Sequence, residues 1–494
     1  MTFNTAVLKI LSVIIFLSFA NDKAIAQGQK TIQASFTSES IRIDGNLNEE
    51  AWENAPRINK FIQREQLVGE PATEQTEVAI LYNKNNLYVG VWCYQKDPNS
   101  IRAKYMQRDF DFEAEDNFKV IISTFNDGRN GYLFIVNPNG ARADAQVYGL
   151  EEENMNWNGV WDVKSRITEQ GWFAEIIIPF STFQFKKTEK LSWGINFERD
   201  IVSKNEQVTW QGWNQNYSIN ALAVAGTLEG IQNIGYAKRF ELKPYILTGF
   251  DKEIEQKASY PFKYGFDLNI NLTPTLKLNL TTNTDFAQVE ADRIAVNLSR
   301  FNLFYPEKRE FFLEGYNQFS FRMGYVDNLF YTRKIGIENH QAVPVLAGAR
   351  LIGKVGKNNI NFLSIQTEKL DTIPTTNNTV FRYKYDIGEQ SYIGGIVTSK
   401  ANNEFSNLVM GIDARFSTSK FLKNKNLIVY GSVSKSFDDL RSSSDALALR
   451  FYVDYPNDFM DQYLGVTAIY EDFNPMLGFF YAGQIMSMFV TIFA

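Results

Sequence analysis

The chain has 494 residues, 44% of them hydrophobic and 21% charged, enough for two or three folded domains and too apolar for wholesale disorder. The formal net charge of -6 argues against a general nucleic-acid binder. A single cysteine, Cys93, excludes an intrachain disulfide, and a single histidine, His340, excludes a zinc site built from histidines and argues against a His-dependent catalytic triad.

Residues 1–26 read as a signal peptide. Lys9 is the early positive charge, Ile10 to Phe19 is apolar, and Ala24-Ile25-Ala26 forms an A-x-A cleavage site before Gln27. The apolar run is roughly half of the ~20 residues a spanning helix needs. No later run reaches that length, so any membrane insertion must be through strands.

From about 35 to 230 the chain reads as an all-β domain. Short β-rich runs (Val78 to Tyr82, Leu87 to Tyr94, Phe118 to Phe125, Gly131 to Val136, Trp172 to Ile178, Trp193 to Phe197) alternate with turn signals such as Asn126-Asp127-Gly128 and Asn137-Pro138-Asn139-Gly140. Strands at this spacing predict a β-sandwich. A short helix is expected at Asn48 to Trp52 with Asn48 as its cap, and Cys93 is expected as a buried structural thiol.

Beyond about 236 the texture changes. In the stretch from Gly265 to Thr281, Phe266, Leu268, Ile270 and Leu272 alternate with Asp267, Asn269 and Asn271. After Thr273-Pro274-Thr275 the pattern restarts with Leu276, Leu278 and Leu280 against Lys277, Asn279 and Thr281. Strand side chains point to opposite faces with period two, so this is a hairpin with one apolar and one polar face. The pattern recurs at Ile360 to Thr367, Ser391 to Thr398, Leu427 to Lys435, Ala446 to Tyr455 and Tyr463 to Tyr470. It predicts lipid outside and water inside, as in an outer-membrane barrel. The 40 Phe and 24 Tyr suit aromatic girdles or a sugar-binding surface. The charged block Pro306 to Glu310 is either a solvated loop or one folded into the lumen.

The first domain resembles the family-9 carbohydrate-binding modules through Ile43-Asp44-Gly45, Ala51-Trp52, Asn86 to Val91, Asp116 to Val120, Gly171 to Pro179 and Trp193 to Phe197. The second is similar to an uncharacterised barrel family that follows such modules in outer-membrane proteins of Gram-negative bacteria. Its runs are Thr284 to Asp292, then Asn297 and Phe301 to Gly315, Tyr331 to Gly336 and Gly348 to Lys354. These resemblances imply an all-β chain, with a β-sandwich module (35–230) followed by an antiparallel outer-membrane-type β-barrel (236–494). After Asn474-Pro475 the barrel pattern fades, so the barrel is expected to be truncated at the C-terminus.

The modules hold sugar between two tryptophans. One position, before Asp116, here carries Phe112-Glu113-Ala114-Glu115; the other lies near Trp210, Trp213 and Tyr217. Sugars pack their C–H faces on aromatic rings and need forked polar partners for their hydroxyls. The candidate carbohydrate site is therefore Trp157, Trp161, Trp210 and Trp213 with Arg108, Arg129, Asn156 and Asn158; Trp172, inside a strand, reads as core. The acidic run Asp109, Asp111, Glu113, Glu115 and Asp116 offers oxygen ligands of the kind Ca²⁺ takes, against a plain solvated acidic loop. Calcium is the one cofactor suggested.

The expected partners are a glycan or oligosaccharide and outer-membrane lipid, and the leading expectation is glycan binding or uptake. The modules often accompany glycosidases, so a hydrolase of O-glycosyl bonds is the alternative, although no catalytic motif or defined carboxylate pair is visible. A structural envelope protein with a degenerate module is the third reading. Short barrel turns face the periplasm, so the Thr273 to Thr275 turn places the module there. The segment from Val289 to Asn328 then lies on the outer side or inside the lumen.

Overall fold

The computed structural model describes residues 28–149, 152–186, 188–235, 240–250, 252, 260, 262–283, 303–324, 327–338, 341–439, 445–480 and 486–493. The expected signal peptide, His340 and the run from Thr284 to Phe301 lie outside these residues. No helix among them is long and apolar enough to cross a membrane.

The first domain is a two-sheet sandwich. In chain order its strands are β1 (Thr31–Phe36), β2 (Ile62–Glu65), β3 (Thr76–Tyr82), β4 (Asn86–Tyr94), β5 (Asn117–Ser123), β6 (Asn130–Val136), β7 (Arg142–Tyr148), β8 (Glu152–Asn154), β9 (Asp162–Thr168), β10 (Gly171–Pro179), β11 (Trp193–Ile201), β12 (Glu206–Thr209) and β13 (Gly226–Glu229). One sheet runs β8-β7-β6-β5-β11-β13-β1 and the other β1-β3-β4-β10-β9. Strand β1 belongs to both: Thr31 to Gln33 pair with β13, and Ala34 to Phe36 pair with β3. The first strand of the domain starts at Thr31. Val78, Ile80, Val89 and Val91 from one sheet pack on Phe118, Val120, Phe134 and Phe197 from the other. Cys93 is buried in this core, as expected, and burial raises its thiol to about 12.

The residues that carry the sequence resemblance are mostly scaffolding. The fully buried Glu175 on β10 accepts hydrogen bonds from the Asp44 N–H (2.9 Å), the Gly45 N–H (2.8 Å) and Trp52 Nε1 (3.0 Å). Gly45 makes this approach at φ +84°, and a Cβ there would press on the Ser165 backbone. The helix α1 spans Glu50–Asn54, with Glu49 at its N-cap and no side-chain cap. The expected Asn48 cap is thus corrected by one position, to Glu49.

The second domain is a curled, open antiparallel sheet among the described residues. Its strands are β14 (Phe240–Thr248), β15 (Phe262–Thr273), β16 (Leu276–Thr282), β19 (Val345–Val355), β20 (Asn358–Thr367), β21 (Asn377–Ile387), β22 (Ser391–Ala401), β23 (Ser406–Phe421), β24 (Lys425–Asp438), β25 (Leu447–Pro456), β26 (Asp461–Ile469) and β27 (Met486–Phe493), hydrogen-bonded in that order. A closed barrel is not shown among the described residues, whose pairing leaves β14 and β27 at the two edges. Large apolar residues stand on the convex face, exposed: Phe240, Leu242 and Ile246, then Phe381, Ile393, Ile412, Phe416 and Phe451. The concave face carries Asn279, Arg350, Asn361, Arg382, Asp413 and Ser434, all buried.

The concave face is covered from within. The segment between β16 and β19 holds the helix α2 (Glu310–Leu313) and the small hairpin β17 (Ile337–Glu338) and β18 (Gln341–Ala342). It packs Phe311, Phe312, Phe319, Phe321 and Phe330 on Ile352, Leu363, Ile365, Val380, Ile396 and Val409. The block from Pro306 turns Glu307 and Arg309 inside and leaves Pro306 and Glu310 exposed. Arg309 donates to both Glu307 carboxylate oxygens (2.9 and 2.7 Å) and to the Ile335 and Thr332 carbonyls. Arg382 anchors the same segment through the Ser320 carbonyl and pairs with Asp413 through two bonds of 2.7 and 2.6 Å, both side chains at 0% exposure.

The module docks on one end of this sheet. The connections at that end are short: Thr273 to Leu276, Val355 to Asn358, Ile387 to Ser391, Phe421 to Lys425 and Pro456 to Asp461. Arg129 pairs with Asp386 and donates to the Ser391 carbonyl (3.2 Å). Lys354 bridges Asp127 (2.6 Å) and Asp386 (2.7 Å). Burial alone would raise the Asp127 carboxyl, but the Lys354 ammonium holds it below the usual range. Farther along, Tyr217 Oη donates to the Ser419 and Asn424 carbonyls (3.1 Å each), and Asn426 Nδ2 donates to the Asn216 carbonyl (2.6 Å).

Asp413→Ala is expected to cost about 3–5 kcal/mol, because it strands a buried guanidinium. An Arg382→Leu/Asp413→Leu double variant should recover most of that loss. Denaturation midpoints of the full chain check this; a single variant as stable as the parent contradicts the pairing.

Candidate functional site: the cleft between module and sheet

Where the module, the inward segment and strands β14 to β19 meet, they leave a cleft of about 1470 Å³. Drug-sized ligands occupy pockets of about 300–1,000 Å³, so this is room for an extended molecule.

One wall is the polar face of the hairpin read in the sequence. Asn269 Nδ2 donates to Glu241 (2.9 Å), and Asn279 Nδ2 donates to Asn269 Oδ1. Asn279 Oδ1 accepts from Arg350 Nε (3.1 Å) and Nη2 (2.9 Å). Arg350 Nη2 also donates to Glu314 (2.9 Å), whose two oxygens accept from Lys277 at 2.8 and 2.9 Å. Four strands and the inward segment thus share a continuous polar ladder. Strand alternation sends every second residue to this side, and the side chains there bond one another because a buried polar group without a partner is costly.

The facing wall belongs to the module. Tyr132 on β6, Gln146 and Tyr148 on β7, and the loop from Trp157 to Val160 border the cleft. The loop is organised by Asp144 on β7, whose side chain is fully buried. Asp144 Oδ2 accepts from the Gly159 N–H, and Oδ1 pairs with Arg108 Nη2, which also donates to the Gly159 carbonyl (3.4 Å). Burial pushes the Asp144 carboxyl up from its ordinary range, while the Gly159 N–H and the Arg108 guanidinium pull it back. The inward segment joins the two walls: Asn154 Nδ2 donates to the Leu313 carbonyl (3.0 Å), and the Gly315 N–H donates to Gln146 Oε1 (3.4 Å).

The sequence-predicted residues separate into groups. Trp157, Asn158, Arg108 and Trp161 come together around Asp144. Trp157 is only 7% exposed, tilted on Tyr132 at 5.3 Å, and Trp161 is 4% exposed, edge-on to Phe134 at 5.1 Å. Both indoles are sandwich core, although Trp157 reaches the cleft wall. Trp210, at 2% exposure and edge-on to Phe197, is core away from the cleft. Trp213 is half-buried against Gly69, and Asn156 is exposed. Arg129 serves the docking seam. Trp172 is core, as read.

The expected calcium set does not assemble. Asp109, Asp111 and Glu113 are exposed, whereas Asp116 turns inward to accept the Val202 N–H (2.8 Å). The buried Glu115 is held by the Lys104 and Tyr105 N–H groups and by Asn137. No cluster of three or more metal-ligating side chains occurs among the described residues.

Asp144, Gln146, Lys277, Arg350 and Glu314 were not among the sequence candidates. Asp144 had a signal: a lone carboxylate in Ala143-Asp144-Ala145, on a strand, marks a polar group turned into an apolar layer. Arg350 and Glu314 lie inside the barrel-like runs, but only the inward fold brings them together.

Comparison with known proteins gives the following. Residues 237–357 match the model of a domain of unknown function (DUF5916). No curated protein matches the chain. Among solved structures, a family-9 carbohydrate-binding module from Caldicellulosiruptor kristjanssonii is similar in its complexes with glucose and with cellotriose. Each is 14% identical with a TM-score of 0.31, covering 41% of this chain and 96% of that one. A proposed carbohydrate-binding protein from Bacteroides uniformis ATCC 8492 is 12% identical with a TM-score of 0.36, covering 41% of this chain and all of that one.

Trp157→Ala is expected to cost about 3–5 kcal/mol, the range for truncating a buried aromatic, and Trp213→Ala clearly less. Chemical denaturation of the full-length variants reads the difference; equal losses contradict the placement of the two rings.

Proposed function

We propose that this chain is an outer-membrane protein that binds a glycan in the cleft between its module and its sheet, as a step in glycan capture or uptake. The observation that carries the reading is the cleft itself. A ladder of amide, guanidinium, ammonium and carboxylate groups faces a module wall that includes Tyr132, Tyr148 and the edge of Trp157. Such groups give hydroxyls both donors and acceptors, and rings accept the C–H faces of sugars. The volume fits several linked units better than one small molecule.

Lipid as the outer partner is supported by the convex face, where Phe240, Ile246, Ile393, Ile412 and Phe416 are each more than half exposed. Apolar patches on proteins in water rarely exceed a few hundred Å², and an outward apolar face over a polar interior is the pattern of barrels in lipid. A periplasmic position of the module is supported by its docking on the short connections, since those face the periplasm in bacterial barrels.

Two expectations test this. In calorimetry on the detergent-solubilised full chain, a glycan selected from an array should bind, and Lys277→Ala should weaken it roughly tenfold or more, the scale of losing hydrogen bonds to a charged group. Trp213→Ala should leave it unchanged. Failure of the parent chain to bind any glycan removes the reading. In intact cells, protease should spare an epitope tag placed at Gln27 until the outer membrane is permeabilised; cleavage before that step puts the module outside.

A further inference from the structure

Farther along the seam than Asp386, the module meets the sheet through residues 214–217, which sit between two connections of the sheet. Asn216 Nδ2 donates to the Asn424 carbonyl (3.3 Å), and the Asn216 carbonyl accepts from Asn426 Nδ2 (2.6 Å). Asn216 Oδ1 accepts from the Asp458 N–H (2.8 Å). Three tips around this contact carry apolar side chains in the open. They are Leu67 and Val68 on the module, Leu422 on the connection from Phe421 to Lys425, and Phe459 on the connection from Pro456 to Asp461. All four are exposed, Leu67 at 58% and Phe459 at 81%.

The tips are held out by the backbone. On the module, the Leu67 N–H donates to Gln63 Oε1 (3.1 Å), the Gly69 N–H to the Gln63 carbonyl (2.9 Å) and the Glu70 N–H to the Leu67 carbonyl (3.0 Å). The turn from Gln63 to Glu70 is thus closed on itself, with Leu67 and Val68 at its end. Gly69 (φ +87°) lies against the Trp213 indole, where a Cβ would come within 3.2 Å of the ring, so the turn adjoins residues 214–217. On the sheet, Leu422 (φ +47°) and Lys423 (φ +85°) both occupy the left-handed region, which costs a residue with a Cβ more than it costs glycine.

Apolar surface leads from the convex face to these tips. Alternation puts Tyr455 on the same side of β25 as the exposed Phe451. Tyr455 stands edge-on to Phe421 with ring centroids 6.3 Å apart, immediately before Leu422 in sequence. Aromatic residues at the end of an outward apolar face mark the headgroup level in barrels. The charges around the tips have both signs: Lys420, Lys423 and Lys425 on one connection, Asp458 and Asp461 on the other, Glu65 and Glu70 on the module turn. Charge therefore does not select the occupant, and exposed apolar side chains are what the three tips share.

We infer that the module itself rests on the phospholipid surface through these tips. Leu67, Val68, Leu422 and Phe459 enter the headgroup region beside Phe421 and Tyr455. Trp213 lies at its edge, where an indole suits a layer apolar on one side and wet on the other. The inference rests on the outer-membrane reading and adds to it a lipid contact made by the module.

The test is electron paramagnetic resonance on the full chain in vesicles of phosphatidylethanolamine and phosphatidylglycerol. Cys93 is fully buried, so a single introduced cysteine takes a nitroxide selectively. Three variants carry it: Val68→Cys, Ile412→Cys on the convex face, and Arg42→Cys on the module, where the native side chain is 85% exposed. Oxygen concentrates in lipid and a nickel chelate stays in water. The oxygen-to-nickel collision ratio should be several-fold higher at Val68 than at Arg42, and highest at Ile412. Adding Leu67→Asp should bring the Val68 ratio down to the Arg42 value. Replacing phosphatidylglycerol by phosphatidylcholine should leave it level, since the contact is apolar; a fall overturns this in favour of a charged contact. A Val68 label as wet as that at Arg42, with Ile412 in lipid, overturns the inference and leaves the outer-membrane reading standing. A wet Ile412 overturns both. A Val68 label shielded from both colliders marks a protein partner or a second copy and overturns the lipid contact. Should Val68→Cys not fold, fluorescence of the parent chain decides. All eight tryptophans lie in the module, and seven of them are buried, Trp213 being the exception. Brominated lipid should quench part of the emission, and Trp213→Phe should remove the quenched part; no quenching overturns the inference.

Discussion

The rest of the second domain depends on one constraint: strand side chains alternate, so a sheet apolar on one face is polar on the other. Here the apolar face is convex and turned outward, which commits Arg350, Arg382, Asp413 and Asn361 to the concave interior. Buried charges need partners and buried amides need hydrogen bonds. The interior cannot be filled by the sheet's own short side chains, and the inward segment supplies what they lack. Its phenylalanines cover the apolar patches of the concave face, and its carbonyls at Phe311, Glu314 and Ser320 receive Arg350 and Arg382. Arg309 and Glu307 satisfy each other within the segment, so a charged block reaches the interior without an orphaned charge.

The same logic places the module. The short connections end in backbone carbonyls and in Lys354 and Asp386, and the module brings Asp127, Arg129, Asn216 and Tyr217 to meet them. Docking through polar contacts and ion pairs, rather than a greasy patch, leaves gaps between the two bodies. The cleft is such a gap, and its walls inherit the polarity of the surfaces that failed to touch. The cleft thus arises where two β-structures meet, with walls from both.

Within the module, the residues most recognisable in sequence serve the frame. Glu175 ties Asp44, Gly45 and Trp52 together, and Arg199 holds the Gln75 and Tyr94 carbonyls with Thr76 and Gln95. Short motifs of this kind report a sandwich and its internal hydrogen bonds; they do not report what the sandwich binds. The tryptophans behave in the same way. An indole offers a large apolar surface, and Trp157, Trp161 and Trp210 spend it on the core despite polar neighbours in sequence.

What the sequence determined by itself is the local geometry. Period-two alternation set the β15 and β16 faces, and the named runs from Val78 to Trp193 and from Ile360 to Tyr463 all fall on strands. Strands β21 and β23 were harder to see, because Arg382, Lys384 and Asp386, or Asp413 and Arg415, break the apolar alternation with charges whose partners lie far along the chain. The all-β class and the two-part division were legible for the same reason: they follow from residues a few positions apart. The tertiary structure alone decided that Glu307 and Arg309 of the Pro306 to Glu310 block turn inward, that the acidic run splits between solvent and core, and that three of the four candidate tryptophans are buried. It alone brought Glu314 to Lys277 and Arg350, and Arg129 to Asp386. Those outcomes depend on which distant groups can satisfy one another's charge and hydrogen bonds, and that information is carried by proximity in space rather than by spacing along the chain.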